Sequence, residues 1–479
     1  MHPTIHAVTH PDKPALIVAE TGEALSYAEL DGRSNRAAHL FRGEGVRPGD
    51  TVALFLDNLP EYYELTWGAQ RSGLFYVCIS SKLTAPEVEY IVRDSGAKLV
   101  VTSAALAAIA EPLAPLLADR ALFAIGAVAG WKDYSAAVAA MPSIPIADER
   151  AGIDMLYSSG TTGRPKGVRV ALPEDPAIAA PSVLSTLAQH LYGLNAATIY
   201  LSPAPLYHAA PLRWSMTVQR LGGTVVMMQH FDPEAALAAI ERYKVTASQW
   251  VPTHFVRFLK LDADARSAHD LSSLKVAIHA AAPCPIPVKS AMIDWWGPVL
   301  FEYYAGSEGN GLTTINSAEW LAHPGSVGRA AYGALHICGE DGEDLAAGEE
   351  GLVYFEGGGA FEYHNDPGKT AEARNAKGWT TLGDIGRIDP DGFLFLTDRK
   401  SFMIISGGVN IYPQEIENRL ITHPRVADVA VIGGPCAEMG EKVIAVVQPM
   451  DMAEATPEFA EELTRWCRAE LPASRHRAR

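Results

Sequence analysis

The residues best suited to chemistry lie in segment 157–170, which reads YSSGTTGRPKGVRV and brings hydroxyl side chains, glycines and a single lysine together. Glycines let backbone N–H groups approach an anion closely, hydroxyls add hydrogen-bond donors, and Lys166 supplies a mobile positive charge. This combination favours a polyphosphate ligand. A P-loop requires Ser or Thr directly after its lysine, but Gly167 follows Lys166, so that motif is excluded. On this segment alone, a glycine-rich surface loop without a ligand remains the alternative.

Four later segments carry polar and glycine residues in a definite order along the chain. They are PLYHAAP at 205–211, YYAGSEG at 303–309, GWTTLGDIG at 378–386 and DRKSFMIISGGVNIYPQEIE at 398–417. Together with 157–170 they resemble the ordered motifs of the adenylate-forming superfamily, which contains acyl-CoA synthetases, luciferases and the adenylation domains of peptide synthetases. The resemblance covers nearly the whole chain, and five motifs in order make chance a poor explanation.

The resemblance implies an ATP site whose residue types suit their roles. Tyr304 offers a flat face to adenine, Ser307 a hydroxyl to phosphate, and Glu308 a carboxylate to the Mg²⁺ that bridges ATP oxygens. Asp384 accepts the ribose hydroxyls, and Arg399 binds ribose or phosphate. The implied phosphate-binding loop comprises Ser158, Ser159, Gly160, Thr161, Thr162, Gly163 and Lys166. Outside such motifs, each of these residue types would be an ordinary turn or surface residue.

The resemblance also implies two half-reactions in one active site. A carboxylic acid attacks the α-phosphorus of ATP to give an acyl-adenylate and pyrophosphate, and the thiol of CoA then displaces AMP. Positioning and charge stabilisation dominate phosphoryl substitution, so little covalent chemistry falls to the protein. The expected catalytic residues are Lys166, Glu308 and His208.

The acid substrate is expected to be hydrophobic, either fatty or cyclic. The region LYHAAPLRWSM lacks the acidic residue that binds the substrate amine in peptide-synthetase domains, which argues against an amino acid. His208, Trp214, Ala281 and Ala282 are the residues expected to line an apolar pocket. An aromatic residue such as Trp214 is more often part of an ordinary core.

The C-terminal part of the chain carries the expected moving parts. The implied hinge is Ser401, and Gly407 and Gly408 would let the pantetheine arm of CoA pass close to the backbone. The resemblance also implies a lysine beyond the segment WCRAEL, whereas the sequence reaches Arg479 without one. We therefore expect slow acyl-adenylate formation, with conversion of supplied acyl-adenylate and CoA to thioester retained.

Two other functions share part of this evidence. An enzyme that transfers the acyl group to a carrier protein would use the same first half-reaction, and a product assay with both acceptors separates it from a CoA ligase. A nucleotide-binding or acyl-binding protein impaired in adenylation would consume ATP without acid-dependent release of pyrophosphate.

Short β-branched runs alternate with helical patterns along the chain, which predicts an α/β fold of mostly parallel sheets flanked by helices. TVALFLD and AKLVVTS read as buried strands, and SYAELDGRSNRAAHLFR and APEVEYIVRDS as amphipathic helices. Asp232 is placed to cap a helix that holds Pro233 in its first turn. We expect an N-terminal adenylate-forming domain over 1–398, with a small barrel-like β region at 333–398, and an incomplete, mobile C-terminal α+β domain over 402–479.

The composition of the chain limits the classes of binding partner that are expected. The formal net charge of −17 opposes non-specific binding to nucleic acid or to an anionic membrane surface, so the expected partners are a small carboxylic acid, ATP and CoA. No basic start followed by an apolar run opens the chain, and charges and prolines interrupt the apolar stretch 104–130. Five scattered cysteines suit a reducing compartment. We expect a cytoplasmic protein without a membrane span, and a homodimer is one expected assembly.

Overall fold

The apolar run Thr51–Phe55 forms a central strand of a six-stranded sheet in the computed structural model of the protein. All five residues of this strand are buried, and the strand pairs in parallel with both of its neighbours. Burial of one such Val, Leu or Phe side chain stabilises the fold by about 1.5–3 kcal/mol. The buried parallel sheet expected from TVALFLD and AKLVVTS is therefore confirmed.

The structure describes residues 1–158, 165–406, 409–436 and 439–469. The chain divides into two compact units. Unit 1 contains 1–249, 270–276 and 360–370, and unit 2 contains 250–269, 277–359 and 371–479.

Over the described residues of unit 1, the strands form three sets. The six strands of the parallel sheet follow the spatial order Lys132–Asp133, Ala121–Ile125, Ala97–Ser103, Thr51–Phe55, Phe75–Ile79 and Ile153–Asp154. A second, mostly parallel set has the order Ala247–Trp250, Ile199–Ser202, Thr224–Met227, Pro14–Val18 and Ala24–Ser26, of which the last pairs antiparallel. The third sheet is small and antiparallel, with the order Glu362–Tyr363, Lys166–Arg169 and Leu156–Ser158.

The helices of unit 1 begin where the sequence supplies caps. Ser26 and Glu29 form a reciprocal capping box at the start of Tyr27–Gly43, and Asp232 accepts the Ala235 N–H at the start of Pro233–Tyr243, as predicted. The other helices of this unit are Pro3–Thr9, Glu61–Arg71, Ala85–Asp94, Ala107–Leu113, Tyr134–Ala139, Val183–Tyr192, Ala209–Arg220 and, as far as Thr370, Pro367–Glu372.

Unit 2 contains neighbouring strands that pair first in parallel and then antiparallel. Val276–His279 pairs in parallel with Leu300–Tyr304, which then pairs antiparallel with Leu312–Asn316, followed by Arg329–Tyr332. A separate antiparallel sheet forms the small β part of the expected fold, while the bounds 333–398 of that region stay a prediction. Its strands have the order Ala334–Cys338, Gly351–Glu356, Asp384–Ile388 and Leu394–Arg399.

The last part of unit 2 is an antiparallel sheet with helices, as the C-terminal pattern predicted. Its strands have the order Val409–Ile411, Ile404–Ser406, Gly440–Pro449 and Val426–Cys436. The helices of unit 2 are Pro252–Leu259, Ala263–Ser267, Ile286–Trp296, Ser317–Ala322, Pro413–Leu420 and Pro457–Arg468. None of the helices over the described residues combines the length and the apolar character that crossing a bilayer requires. The domain boundary between 398 and 402 stays a prediction.

Candidate active site

Three polar side chains from different strands of unit 2 form a hydrogen-bonded group, which we call the Tyr304 triad. Tyr304 ends the strand Leu300–Tyr304, and Asp384 and Arg399 lie opposite each other on paired antiparallel strands. The Tyr304 hydroxyl donates to Asp384 Oδ2 at 2.6 Å, and Arg399 Nε donates to Asp384 Oδ1 at 2.9 Å. The structure thus brings together three residues that the sequence assigned to one nucleotide.

The surroundings of the Tyr304 triad orient its carboxylate without using all of its hydrogen-bonding capacity. Only 6% of Asp384 is exposed, whereas the Arg399 side chain is 49% exposed. Burial, followed by the Asp384 charge, raises the pKa of the Tyr304 phenol well above its ordinary value, so the phenol remains a donor at neutral pH. A carboxylate oxygen has two lone pairs, so each oxygen of Asp384 can still accept a further hydroxyl donor.

The triad borders a cavity of about 270 Å³ within unit 2. Ala281 and Ala282 line the same cavity, whose remaining wall is partly apolar. Their expected contact with the acid substrate stays a prediction. Ala281 has a φ of +80°, a backbone conformation that residues with a Cβ rarely adopt. Such strain persists where surrounding structure enforces it, which is common beside ligand sites. The lining residues are Ala281, Ala282, Pro283, Glu302, Tyr303, Tyr304, Ala305, Val327, Leu382, Asp384, Leu396, Asp398, Arg399, Phe402 and Gln414.

The turn after Tyr304 places Glu308 close to the triad. A Cβ on Gly306 would lie 2.6 Å from Glu308 Oε2, so the Glu308 carboxylate folds back over this glycine. Burial and the Asp384 charge raise the pKa of the Tyr304 phenol, and the Glu308 charge adds to this effect. Burial lowers the pKa of the Arg399 guanidinium, but the Asp384 charge, with a smaller contribution from Glu308, raises it overall. Magnesium binds through one or two carboxylates together with substrate phosphates, and this donor chemistry fits the ion. Ser307 lies partly buried in the same turn, and its phosphate contact stays a prediction.

In unit 1, Ser158 and Lys166 are directly opposite each other on antiparallel strands. Lys166 Nζ lies 5.9 Å from the centre of the Tyr363 ring. Ser158 and Lys166 therefore occupy one face of a hairpin, since side chains of paired residues point to the same side. The other predicted loop residues lie outside the described residues; they are Ser159, Gly160, Thr161, Thr162 and Gly163.

The predicted residues of segment 205–216 lie at the start of the helix Ala209–Arg220 in unit 1. His208 is the N-cap residue, its ring centre is 4.5 Å from that of Tyr207, and loss of hydration lowers the pKa of its imidazole. Trp214 is only 2% exposed and meets Tyr192 edge-on, with ring centres 5.4 Å apart. Trp214 is thus a core residue, and any contact with a substrate stays a prediction.

The predicted hinge and CoA residues are only partly described. Ser401 is exposed in a turn between the strands Leu394–Arg399 and Ile404–Ser406. Gly407 and Gly408 lie outside the described residues, as does the tail 470–479. Their expected roles stay predictions.

Two polar contacts near these sites were not found from the sequence. Lys289 is a residue type that usually lies at the surface, but here it is fully buried and donates to Glu302, a residue of the cavity wall. The second contact joins Tyr157 to Asp94, 63 positions apart, with the phenol donating to Oδ2 at 2.6 Å. No local pattern signals either pair, because both depend on long-range packing.

Comparison with known proteins agrees with this geometry. The family model for the AMP-binding enzyme matches residues 4–363, and the model for the AMP-binding enzyme C-terminal domain matches residues 415–478. The chain therefore belongs to the AMP-binding enzyme family, and it is an enzyme of the AMP-forming acyl-CoA ligase type.

Two curated relatives and one solved structure illustrate the range of the family. The chain is 34% identical over 464 residues to a feruloyl-CoA synthase of Amycolatopsis sp, covering 95% of this chain and 89% of the relative. It is 32% identical over 478 residues to the long-chain-fatty-acid–CoA ligase FadD13 of Mycobacterium tuberculosis, and the match covers 97% of this chain and 90% of the relative. The o-succinylbenzoate CoA synthetase MenE from Bacillus subtilis, solved with the acyl-adenylate OSB-AMP, has a TM-score of 0.82 at 26% identity, covering 99% and 92%.

Proposed function

We propose that this chain is an acid–CoA ligase that activates a hydrophobic carboxylic acid, fatty or cyclic, with ATP and transfers the acyl group to CoA. The products are the acyl-CoA thioester, AMP and pyrophosphate. The observation that carries the proposal is the Tyr304 triad beside a cavity of about 270 Å³, with Glu308 close by. Family membership supports the ATP-dependent chemistry, and the relatives support an acid as substrate.

In the first half-reaction, a carboxylate oxygen of the acid bonds to the α-phosphorus and the bond to the pyrophosphate oxygen breaks. Asp384 would accept the two ribose hydroxyls and thereby fix the nucleoside, while Arg399 keeps that carboxylate oriented. Lys166 would hold the departing pyrophosphate by charge. Glu308 would hold Mg²⁺, which when bound supplies positive charge to the phosphate oxygens.

In the second half-reaction, the CoA thiol attacks the acyl carbonyl, the bond to the AMP oxygen breaks, and the thiol proton passes to solvent. The Tyr304 triad would retain the AMP portion through both steps, because its contacts involve only the nucleoside. Lys166 would matter less here, since pyrophosphate has already left. Measuring the two half-reactions separately therefore distinguishes the roles of Lys166 and Asp384.

A hydrophobic acid is favoured over an amino acid because the segment 206–216, LYHAAPLRWSM, contains no acidic residue that could bind a substrate amine. The arginine of this segment, Arg213, donates to the buried carboxylate of Asp154 at 2.7 Å. The feruloyl and long-chain fatty acyl names of the two relatives fit the same substrate class.

The test is a panel of acids assayed for CoA-dependent formation of AMP and thioester. Medium-chain and long-chain fatty acids, a cinnamic acid and phenylacetic acid are compared with acetate and phenylalanine. We expect AMP and thioester in equal amounts with at least one hydrophobic acid, and no product with phenylalanine. A phosphopantetheinyl carrier protein replaces CoA in a parallel arm. Formation of ADP, or thioester only on the carrier protein, would contradict the proposal.

A further inference from the structure

The hairpin that carries Lys166 is attached to the rest of unit 1 through Tyr157. The Tyr157 hydroxyl donates to Asp94 Oδ2 at 2.6 Å, and Asp94 is the last residue of the helix Ala85–Asp94. Burial, followed by the hydrogen bond to Asp94, raises the pKa of the Tyr157 phenol, so the hydroxyl remains a donor at neutral pH. One end of the hairpin is therefore anchored to a helix by a charge-assisted hydrogen bond.

This anchor acts on the residue next to Lys166. Gly167 lies opposite Tyr157 in the hairpin, and a Cβ on Gly167 would lie 2.9 Å from Tyr157 Cζ and 3.1 Å from His364 Cβ. The Tyr157 ring thus packs directly on the Gly167 backbone. Movement of the ring would move the peptide that joins Gly167 to Lys166.

Three further contacts, from His364 and Asn365, hold the same residues. His364 N–H donates to Gly167 O at 2.8 Å, the His364 ring contacts Asp94 O at 3.0 Å, and Asn365 Nδ2 donates to Asp94 O at 3.1 Å. Asn365 has a φ of +56°, a left-handed conformation that Asn tolerates better than most residues. Asp94, Tyr157, Gly167 and His364 therefore form one connected group, which we call the Asp94 anchor.

We propose that the Tyr157–Asp94 hydrogen bond is a positioning contact that sets the location of the Lys166 ammonium for pyrophosphate. The inference rests on the proposed function, because it takes the role of Lys166 in adenylation as given. Tyr157 is a positioning residue, and the proposal assigns it no contact with substrate. Its contribution is to restrict the hairpin, so that less ordering is required when pyrophosphate binds.

The central variant is Tyr157→Phe, which removes the hydroxyl and retains the ring that packs on Gly167. We expect the KM for pyrophosphate in ATP–pyrophosphate exchange to rise about 3–10-fold, the scale of one typical intramolecular hydrogen bond, because Tyr157 acts on Lys166 indirectly. Conversion of supplied acyl-adenylate and CoA to thioester should stay within about twofold. Asp94→Ala should match Tyr157→Phe, the double variant should be no worse than either, and Asp94→Asn, which keeps an acceptor oxygen, should recover much of the loss.

Tyr134→Phe is the matched control. Tyr134 donates to Glu64 Oε1 at 2.7 Å, so this variant removes another tyrosine–carboxylate hydrogen bond from unit 1. It should lower the melting temperature without changing the KM for pyrophosphate. If Tyr157→Phe and Tyr134→Phe have the same effects on exchange and stability, the Asp94 anchor is only structural and the inference is overturned.

Lys166→Ala separates failure of the inference from failure of the proposed function. Impaired exchange in Lys166→Ala together with normal exchange in Tyr157→Phe would overturn the inference alone. Normal exchange in Lys166→Ala would overturn the role of Lys166 in the proposed function, and the inference with it.

Discussion

Two tyrosine–carboxylate hydrogen bonds of the same length, 2.6 Å, occur in the two units of the chain. In unit 2, Tyr304 donates to Asp384, which also receives Arg399 and borders the cavity. In unit 1, Tyr157 donates to Asp94, whose backbone carbonyl contacts His364 and Asn365. The additional partner is a charged side chain in one case and the polar groups of a packed loop in the other.

This difference shows that the other contacts of a hydrogen-bonded carboxylate indicate its role better than the length of the hydrogen bond does. Asp384 has an arginine and a cavity beside it, so a ligand with hydroxyl donors can reach a carboxylate that is already oriented. Asp94 forms contacts within the protein, and it would affect catalysis only by fixing the position of Lys166. The first carboxylate is expected to bind a ligand, and the second to position a residue that does.

The largest effect is expected for Lys166→Ala, a substitution in the hairpin that the Asp94 anchor holds. Adenylation should slow by about tenfold to a thousandfold, the scale of removing one charge-stabilising group. ATP–pyrophosphate exchange measures the loss, and the thermal unfolding curve should change little. Lys98→Ala is a control, because this half-exposed lysine of unit 1 pairs with Asp50 at the surface. Unchanged exchange in Lys166→Ala would show that the hairpin does not handle pyrophosphate.

The second-largest effect is expected for Glu308→Gln, a substitution in the turn next to the Tyr304 triad. The amide keeps the shape of the side chain but loses the charge that a hard dication prefers, so most magnesium-dependent adenylation should be lost, about tenfold or more. A titration of magnesium against initial rate should show a higher half-saturating concentration. An unchanged magnesium dependence would make Glu308 an ordinary turn residue.

The two carboxylates can be compared directly with the same substitution. Asp384→Asn should raise the KM for ATP about 5–20-fold, because a neutral amide with one acceptor oxygen binds a vicinal diol less well. Asp94→Asn should leave the KM for ATP within about twofold. Steady-state kinetics of both variants at saturating acid and CoA provide the measurement. Equal effects would remove the distinction between the two pairs.

The smallest effect on catalysis is expected at Glu64, the partner of Tyr134. Burial raises the pKa of Glu64 to about 7, so the folded state keeps a proton that the unfolded state releases near pH 4.5. Stability should therefore fall as the pH rises from about 4.5 to 7. Glu64→Gln should reduce that decline by about 1–3 kcal/mol, with kcat within about twofold. Parallel declines in the variant and the parent protein would contradict the shifted pKa.

The sequence predicted those parts of the fold that local patterns determine. The buried strand Thr51–Phe55 and the helix cap at Asp232 follow from apolar runs and capping residues, and both are confirmed. The members of the Tyr304 triad were identified one by one from motifs. Their mutual hydrogen bonds were not predicted, because they depend on the register that places Asp384 opposite Arg399 and on a contact across 80 positions.

The contacts that the sequence did not predict share one physical feature. Lys289 and Glu302 are charged residues that become buried together, and Tyr157 meets Asp94 only after the hairpin packs on a helix. Charge and local periodicity describe how a residue interacts with solvent and with its neighbours in sequence. They contain no information on which distant group will neutralise a charge or accept a hydrogen bond.

ATP–pyrophosphate exchange in the absence of CoA, measured with and without a hydrophobic acid, tests directly whether this chain forms an acyl-adenylate. Formation of an acyl-adenylate predicts exchange that requires both the acid and magnesium, at whatever absolute rate this chain sustains, and that does not require CoA. Asp384→Asn should need more ATP to reach the same rate. Exchange that proceeds without acid, or that appears only when CoA is added, would contradict the account.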